Sequence, residues 1–252
     1  MSSLEALFTP ADFTALSKRN LTGTCCVVFD VLRATSTMVT ALWNGACAVR
    51  PVNEISEAIA ARARHPGVLL AGERDGLRIG ATLTGGREFD LGNSPREFTR
   101  AAVDGRSIVM TTTNGTRALR ACRGARDILA ASFLNLSATA EAIRRGGATN
   151  LLLVCSGTLE QAAYEDVLGA GALCDLVWSS FSKDQIADSA QIARELFLNS
   201  VADLAGALSR SRNARRLQSH ADLTEDVAFC LQRDVMPLVA SLGVDGWIRR
   251  SA

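Results

Sequence analysis

Hydrophobic positions follow two patterns that alternate along the chain. Short apolar runs rich in β-branched residues, such as residues 25–29 and 150–155, predict buried strands of a parallel sheet. The run at 25–29 is followed by apolar residues at helical spacing, namely Met38, Val39 and Leu42. Repeated alternation of this kind predicts an α/β fold with a largely parallel or mixed central sheet and helices on both faces.

The predicted elements fill most of the chain. Strands are predicted at residues 25–29, 46–52, 68–71, 107–112, 128–133 and 150–155, and helices at 55–64, 95–103, 116–122, 136–145 and 164–178. From residue 185 the pattern is more helical, with helices at 185–208 and 223–232, a basic surface segment at 209–220 and a short edge strand near Trp247. No repeat or linker divides residues 1–252, which predicts a single domain.

Residues 75–93 interrupt this order, because they are polar, rich in glycine and without a clear period. A connection of this length within a compact domain usually has a function. We therefore interpret residues 75–93 as a lid or a substrate loop.

The end of the first predicted strand carries the most informative polar residues. Asp30 stands where the strand stops, and Arg33 supplies a planar cation just beyond it. Thr35 and Ser36 then offer hydroxyl groups and free N–H groups at a helix start, which is a common anion site. A carboxylate beside an anion site suggests a divalent metal between them. The alternative is a solvent-facing strand end followed by an ordinary Thr/Ser helix cap.

Other polar residues also follow predicted strands. In an open parallel sheet the ligand crevice lies beyond the carboxyl ends of the strands, so these residues are expected to meet there. The residues in question are Asp30, Glu73, Arg74, Thr112, Thr113, Asn114, Gly115, Thr116, Arg117, Asn135, Ser156 and Gly157.

Three polar segments that could form part of the site also have a simpler explanation. Residues 111–117 suit a phosphate, but an Asn-Gly turn with a threonine cap would look the same. Asn93 could face a ligand, although Ser94 beside it is explained by helix capping alone. Glu165 and Asp166 could complete a metal site, but acidic residues also favour the first turn of any helix.

Composition narrows the class of protein. A formal net charge of +1 over 252 residues gives no electrostatic footprint for nucleic acid or for an anionic membrane. No window reaches transmembrane length, and the first twenty residues lack the apolar core of an export signal. Seven cysteines, mostly inside apolar runs that include Cys25, Cys47 and Cys155, predict buried free thiols and hence a reducing cytoplasm. The apolar C-terminal third could supply the face of a homodimer.

Several familiar phosphate chemistries are excluded by missing motifs. No cysteine is followed six positions later by arginine, and Asp30 is followed two positions later by Leu32 rather than by a second aspartate. With His65 and His220 as the two histidines, a histidine phosphatase or a multi-histidine zinc site is disfavoured. Neither a P-loop nor a dinucleotide-binding turn follows the first strand. Ligation by carboxylate and amide oxygens alone favours Mg²⁺.

Six blocks, in order along the chain, resemble the 2-phosphosulfolactate phosphatase family, the ComB-type enzymes of coenzyme M biosynthesis. The blocks are VFDVLRATST at 28–37, GER at 72–74, FDLGNSP at 89–95, TTTNGTRAL at 111–119, SFLN at 132–135, and ED at 165–166 with AG at 170–171. The resemblance implies an α/β enzyme that uses Mg²⁺ to release phosphate from 2-phospho-3-sulfolactate. The segment at residues 78–87 is longer than in the family pattern, and residues 162–164 differ from that pattern. Both segments lie where the substrate could be recognised.

These considerations give a specific hypothesis for the site. Asp30, Arg33 and Glu165 are predicted to be catalytic, and Mg²⁺ is expected on carboxylates chosen from Asp30, Glu73, Glu165 and Asp166. Whether water attacks directly or Asp30 is transiently phosphorylated stays open. Two other functions also remain possible on this sequence: a phosphatase of another small phosphorylated hydroxy acid, and a non-catalytic module that binds phosphate or an organic acid. The residues predicted to bind substrate are Arg33, Thr35, Ser36, Arg74, Asn93, Thr112, Asn114, Gly115, Thr116 and Arg117.

Overall fold

The computed structural model describes residues 1–251 and contains one large open sheet with helices around it. The strands are β1 Ser3–Leu7, β2 Thr24–Phe29, β3 Ala48–Val52, β4 Leu69–Arg74, β5 Leu77–Arg78, β6 Ser107–Thr111, β7 Asp127–Ala131, β8 Asn150–Cys155, β9 Val239–Leu242 and β10 Ile248–Ser251. The helices are α1 Pro10–Thr14, α2 Ala34–Trp43, α3 Ile55–Arg64, α4 Ala81–Thr84, α5 Arg100–Val103, α6 Gly115–Ala121, α7 Leu136–Gly146, α8 Tyr164–Val177, α9 Asp188–Leu198, α10 Leu204–Ser209, α11 Arg212–Gln218 and α12 Thr224–Cys230.

Nine of the ten strands form two parallel groups joined by an antiparallel hairpin, and β5 pairs antiparallel to β4 at one edge of the sheet. The order across the sheet is β1-β8-β2-β7-β9-β10-β3-β6-β4-β5. The group β1-β8-β2-β7 is parallel throughout, as is the group β3-β6-β4. Between them, the β9–β10 hairpin pairs antiparallel to β7 on one side and to β3 on the other. The predicted α/β class, with a mostly parallel sheet and surrounding helices, is confirmed.

Strand β2 shows why the strands of the parallel groups have continuous apolar sequences. Its side chains point alternately to the two faces of the sheet, as in any strand. Val27 and Phe29 belong to the core beneath α7, α8 and α9, whereas Cys26 and Val28 belong to the core beneath α2 and α6. Because both faces of the strand are buried, its sequence does not alternate between polar and apolar residues. Each large apolar side chain stabilises the fold by about 1.5–3 kcal/mol through burial.

Several predicted elements need correction. The strand near Trp247 exists, but as β10 it lies in the middle of the sheet and not at its edge. The predicted helix at 95–103 is two pieces, a 3₁₀ turn at Pro95–Glu97 and α5, because the Thr99 hydroxyl caps a new helix start. The predicted surface segment at 209–220 contains helix α11.

The N-terminal strand β1 and the structure within the long loop were missed by sequence analysis. Strand β1 pairs with β8 although Glu5 interrupts its apolar pattern. Residues 75–93 contain β5 and α4, so the loop is partly ordered by its own elements. Both misses involve elements too short to show a hydrophobic period.

All seven cysteines are free thiols, as predicted, but Cys47 is exposed and not buried. Burial raises the pKa of the Cys25 and Cys174 thiols to about 12, which makes them unreactive. Between residues 1 and 251, no helix has both the length and the apolar character needed to cross a membrane.

The central position of β10 makes a testable prediction. Ile248 is fully buried between β9 and β3, so Ile248→Ala should lower the free energy of unfolding by about 2–5 kcal/mol. Val244, in the turn of the same hairpin, is fully exposed, and Val244→Ala should change it by less than about 0.5 kcal/mol. Urea titration followed by circular dichroism measures both values. If both variants lose equally little free energy of unfolding, the central position of β10 in the sheet would be contradicted.

Candidate active site

A cleft lies where the carboxyl ends of β2, β4, β6 and β8 come together, covered on one side by helix α11. The free space within the cleft is about 630 Å³, including the part that is open to solvent. The two parallel strand groups both contribute residues, since Asp30 follows β2 and Thr113 follows β6. The lining residues are Asp30, Leu32, Arg33, Glu73, Asp75, Gly76, Asn93, Thr113, Asn114, Gly157, Thr158, Leu159, Asn213, Arg216 and Leu217.

Asp30 lies between the starts of two helices. Its Oδ1 accepts a hydrogen bond from the Ala34 N–H at 3.0 Å, at the first turn of α2. Its Oδ2 faces Gly115, the first residue of α6, where an added Cβ would lie 2.5 Å from this oxygen. Gly115 is therefore needed so that α6 can approach the Asp30 carboxylate.

The electrostatic environment of Asp30 is unusual for a carboxylate. Burial raises the pKa of the Asp30 carboxyl to about 7, and the nearby charges of Glu73 and Glu165 add to the rise. The hydrogen bond from the Ala34 N–H acts in the opposite direction and lowers this pKa. Burial also raises the pKa of Asp166 well above its ordinary value, with further contributions from Asp30 and Glu165. These carboxyl groups thus share one region of negative potential.

The other carboxylates are held by hydrogen bonds from neighbouring loops. Asp166 accepts the Val31 N–H at 2.8 Å and the Gly157 N–H at 3.1 Å, so it ties the segment after β2 to the segment after β8. Glu73 accepts the N–H and hydroxyl of Thr113, both at 2.9 Å, and the Gly76 N–H at 2.7 Å.

Glu165 is buried beneath helix α11. It accepts a hydrogen bond from the Ser211 hydroxyl at 2.8 Å, and a second one from the Asn213 side-chain amide. The α11 segment is thereby fixed to the first turn of α8, and a region that the sequence suggested to be plain surface becomes a wall of the cleft.

Several buried oxygen atoms near the cleft have no hydrogen-bond partner. They are the side-chain oxygens Asn93 Oδ1, Asn114 Oδ1 and Ser156 Oγ. The Asn114 amide nitrogen donates to the carbonyl oxygens of Ser156 and Leu159, which fixes the direction of its own Oδ1. Unpaired buried oxygens are costly unless a ligand satisfies them, and a hard cation such as Mg²⁺ takes oxygen ligands.

Carboxylates by themselves do not form a metal cage here. Within residues 1–251, no three His, Cys, Asp or Glu side chains make a group able to hold a metal ion.

Arg33 is oriented by a residue from the far end of the chain. Its guanidinium makes a buried ion pair with Asp226 of α12 at 2.7 Å and donates to the Gly76 carbonyl oxygen at 2.6 Å. The second Asp226 oxygen accepts the Ser94 hydroxyl at 2.7 Å. Sequence reasoning gave Asp226 no role, because nothing in its spacing relates it to Arg33.

The residues predicted to bind substrate separate into two sets. Arg33, Asn93 and Asn114 line the cleft, and Gly115 abuts Asp30. The side chains of the other buried residues bond within their own turns: Thr35 to the backbone of Asp30, Ser36 to the Val31 carbonyl, and Thr116 to the Thr112 carbonyl.

Two of the predicted arginine ligands are engaged outside the cleft lining. Arg74 donates to the Thr111 hydroxyl and to the carbonyl oxygens of Asn53 and Glu73. Arg117 pairs with Glu160 at 3.4 Å, at the surface. The binding roles assigned to these residues stay predictions.

Comparison with known proteins identifies the family of the chain. The family model of 2-phosphosulpholactate phosphatase matches residues 12–243, which is most of the chain. The chain therefore belongs to the 2-phosphosulfolactate phosphatase family, a family of phosphoric monoester hydrolases, and the predicted resemblance is confirmed.

Individual relatives cover nearly the whole length. A protein of Pseudothermotoga lettingae named probable 2-phosphosulfolactate phosphatase is 40% identical over 227 residues, covering 90% of this chain and 92% of the relative. A protein of the same name from Thermotoga petrophila is 42% identical over 217 residues, covering 86% and 88%. One from Caldanaerobacter subterraneus is 35% identical and covers 95% of both chains.

The Arg33–Asp226 pair predicts a large effect on stability. Asp226→Asn should lower the free energy of unfolding by about 3–5 kcal/mol, because it leaves Arg33 buried without a countercharge. As a control, Asp245→Asn breaks an exposed pair with Arg249 and should cost much less than Asp226→Asn, because water and salt screen exposed pairs. Urea titration measures the free energy of unfolding of both variants. If Asp226→Asn lowers it no more than Asp245→Asn does, the buried pair is not required for stability.

The raised pKa of Asp30 predicts how stability without metal depends on pH. The folded protein holds this proton more tightly than the unfolded chain, so stability falls as pH rises from 3.8 through about 7. In EDTA, the melting temperature should therefore fall as the pH rises over this range. Asp30→Asn should make the dependence of melting temperature on pH less steep. Part of the dependence should remain, because the pKa of Asp166 is also raised.

Differential scanning fluorimetry at closely spaced pH values measures this slope. The control is the exposed Asp222→Asn variant, which should keep the wild-type slope. A wild-type melting temperature that rises from pH 5 to pH 7 in EDTA would contradict the assignment.

Proposed function

We propose that this protein is a Mg²⁺-dependent phosphatase that hydrolyses 2-phospho-3-sulfolactate to 3-sulfolactate and phosphate, a coenzyme M biosynthesis-type step. The observation that carries the proposal is a cleft with an excess of buried acidic groups beside unpaired oxygen atoms. The relatives named probable 2-phosphosulfolactate phosphatase support the choice of substrate.

The balance of buried charge argues for a bound cation. Glu73, Glu165, Asp166 and Asp226 are buried around the cleft, whereas Arg33 is the one arginine buried beside them within residues 1–251. A phosphorylated acid would add further negative charge to a region where burial already raises the pKa of Asp30 and Asp166. A divalent cation would offset both the carboxylates and the substrate.

The residues available for Mg²⁺ are oxygen donors. Asp30 has a carboxylate oxygen, Oδ2, directed away from its Ala34 hydrogen bond, and Asn93, Asn114 and Ser156 have unpaired buried oxygens nearby. When bound, Mg²⁺ would neutralise oxygens of the transferring phosphoryl group. This set shares Asp30 with the set proposed from sequence and replaces some carboxylates with amide and hydroxyl oxygens.

The hydrogen-bonded carboxylates then have a positioning task. Asp166 and Glu73 fix the loops that follow β2, β4, β6 and β8, and Glu165 fixes α11. Phosphoryl transfer depends chiefly on position and charge neutralisation, so a rigid wall around the phosphoryl group favours the reaction. Arg33, held by Asp226, presents its remaining face to the substrate.

Two wider expectations are part of the same proposal. The free thiols favour a reducing compartment such as the cytoplasm. The apolar helical C-terminal third is the candidate face for a homodimer. Size-exclusion chromatography with light scattering tests the second point.

A phosphate-release assay tests the function. Wild-type protein with Mg²⁺ should hydrolyse phosphosulfolactate, EDTA should abolish release, and added Mg²⁺ should restore it. Asp30→Asn should reduce kcat by about 100-fold or more, because the charge at the phosphoryl site is lost. Glu160→Gln removes an exposed carboxylate on the loop after β8 and should keep wild-type activity.

The outcomes separate the alternatives. A panel of phosphorylated hydroxy acids in the same assay identifies another substrate if phosphosulfolactate is not preferred. Binding of phosphate without any turnover would favour a non-catalytic module. Rapid-quench trapping with ³²P-labelled substrate distinguishes a phosphorylated Asp30 from direct attack by water.

A further inference from the structure

We propose that Arg216 binds the non-reacting anionic end of the substrate, and that Asp75 holds this guanidinium at the mouth of the cleft until substrate replaces it. The inference rests on the proposed function, in which the substrate is a phosphorylated organic acid with more than one anionic group. Neither residue was a candidate ligand from sequence.

The first observation concerns which positive charges face the cleft. Of the described residues that line it, two are cationic, Arg33 and Arg216. Arg33 is 3% exposed, and its charge is already neutralised by Asp226 at 2.7 Å. Arg216 is therefore the cleft cation whose charge is most available to a new anion.

The second observation is that the present partner of Arg216 is weak. Asp75 lies 3.5 Å from the guanidinium, and the two side chains are 95% and 44% exposed. Ion pairs that are exposed to this degree contribute little to stability, because water and salt screen them. Replacing Asp75 by a substrate carboxylate or sulfonate would cost little and would gain a forked, charge-assisted hydrogen bond.

The third observation is that Asp75 is placed by a rigid turn. Asp75 and Gly76 have φ values of 56° and 79°, and they join strands β4 and β5 as a two-residue hairpin turn. The Gly76 N–H donates to Glu73, and the Gly76 carbonyl oxygen accepts from Arg33. The Asp75 side chain is thus held at the rim, opposite α11, while the turn itself is tied to the site.

Helix α11 offers a matched comparison for Arg216. Arg215, the preceding residue, is also exposed, but it lines a neighbouring cavity with Tyr164 and Arg210 and does not line the cleft. Leu217, the following residue, is buried in the core and fixes the orientation of the helix. The two adjacent arginines therefore carry the same charge on the same helix, and one of them faces the cleft.

This arrangement assigns the two ends of the substrate. The phosphoryl group would lie near Asp30, between α2 and α6, and the carboxylate or sulfonate would reach Arg216 at the rim. We expect the Arg216 contact to be the same in the ground state and the transition state, because it does not touch the reacting atoms. Its loss should raise KM and leave kcat largely unchanged.

The test compares Arg216→Ala, Arg216→Lys, Arg215→Ala and Asp75→Asn in the full-length protein with Mg²⁺. Arg216→Ala should raise KM for phosphosulfolactate about 10- to 100-fold with kcat within about threefold of wild type. Arg216→Lys should recover part of the loss, and Arg215→Ala should match wild type. Asp75→Asn should lower KM by up to about fivefold, because it removes the competing carboxylate.

Calorimetric binding of two product probes tests the inference without turnover. Arg216→Ala should weaken binding of 3-sulfolactate and leave binding of inorganic phosphate unchanged. This pattern in a protein that shows no hydrolysis would refute the phosphatase proposal and still support the role of Arg216.

Three results would overturn the role of Arg216. The first is an Arg216→Ala variant that behaves like Arg215→Ala in both assays. The second is a loss confined to kcat. The third is an Asp75→Asn variant that raises KM as much as Arg216→Ala does, which would show that the pair only stabilises the local structure.

Discussion

The burial of several carboxylates around one cleft is the constraint on which the rest of the site depends. Burial penalises each ionised carboxyl group, and the groups also repel one another. The protein partly offsets this by giving Asp166, Glu73 and Glu165 hydrogen-bond donors from separate segments of the chain. Asp30 keeps one oxygen free of such bonds, and burial, with the nearby charges of Glu73 and Glu165, raises the pKa of its carboxyl to about 7.

The sheet topology explains how these groups meet. The two parallel strand groups are joined through an antiparallel hairpin, so their carboxyl ends are not aligned along a single edge as they would be in a fully parallel sheet. They are brought together by side-chain bonds between groups, such as the Asn114 amide to the Ser156 carbonyl oxygen. Gly115 permits the close approach that lets α6 reach Asp30.

The C-terminal helices complete the site from the outside. Ser211, the residue that caps helix α11, and Asn213 within it hold Glu165, and the helix places Arg216 at the rim. Helix α12 supplies Asp226, which neutralises and orients Arg33. Both helices bury apolar residues, including Ala214, Leu217 and Val227, in the same core as β2 and α8. Packing of that core therefore positions charged groups that are remote in the chain.

The sequence by itself determined the strand–helix alternation, the family, and the position of Asp30, Glu73 and Asn114 at strand ends. These features are local, since a buried run, a helical period and a turn residue act within a few positions. Tertiary structure alone decided that β10 lies in the middle of the sheet, that Asp226 pairs with Arg33 and that Arg216 faces the cleft while Arg117 does not. The direction of an arginine and the partner of a buried carboxylate depend on contacts between distant segments, and no local pattern of residues encodes them.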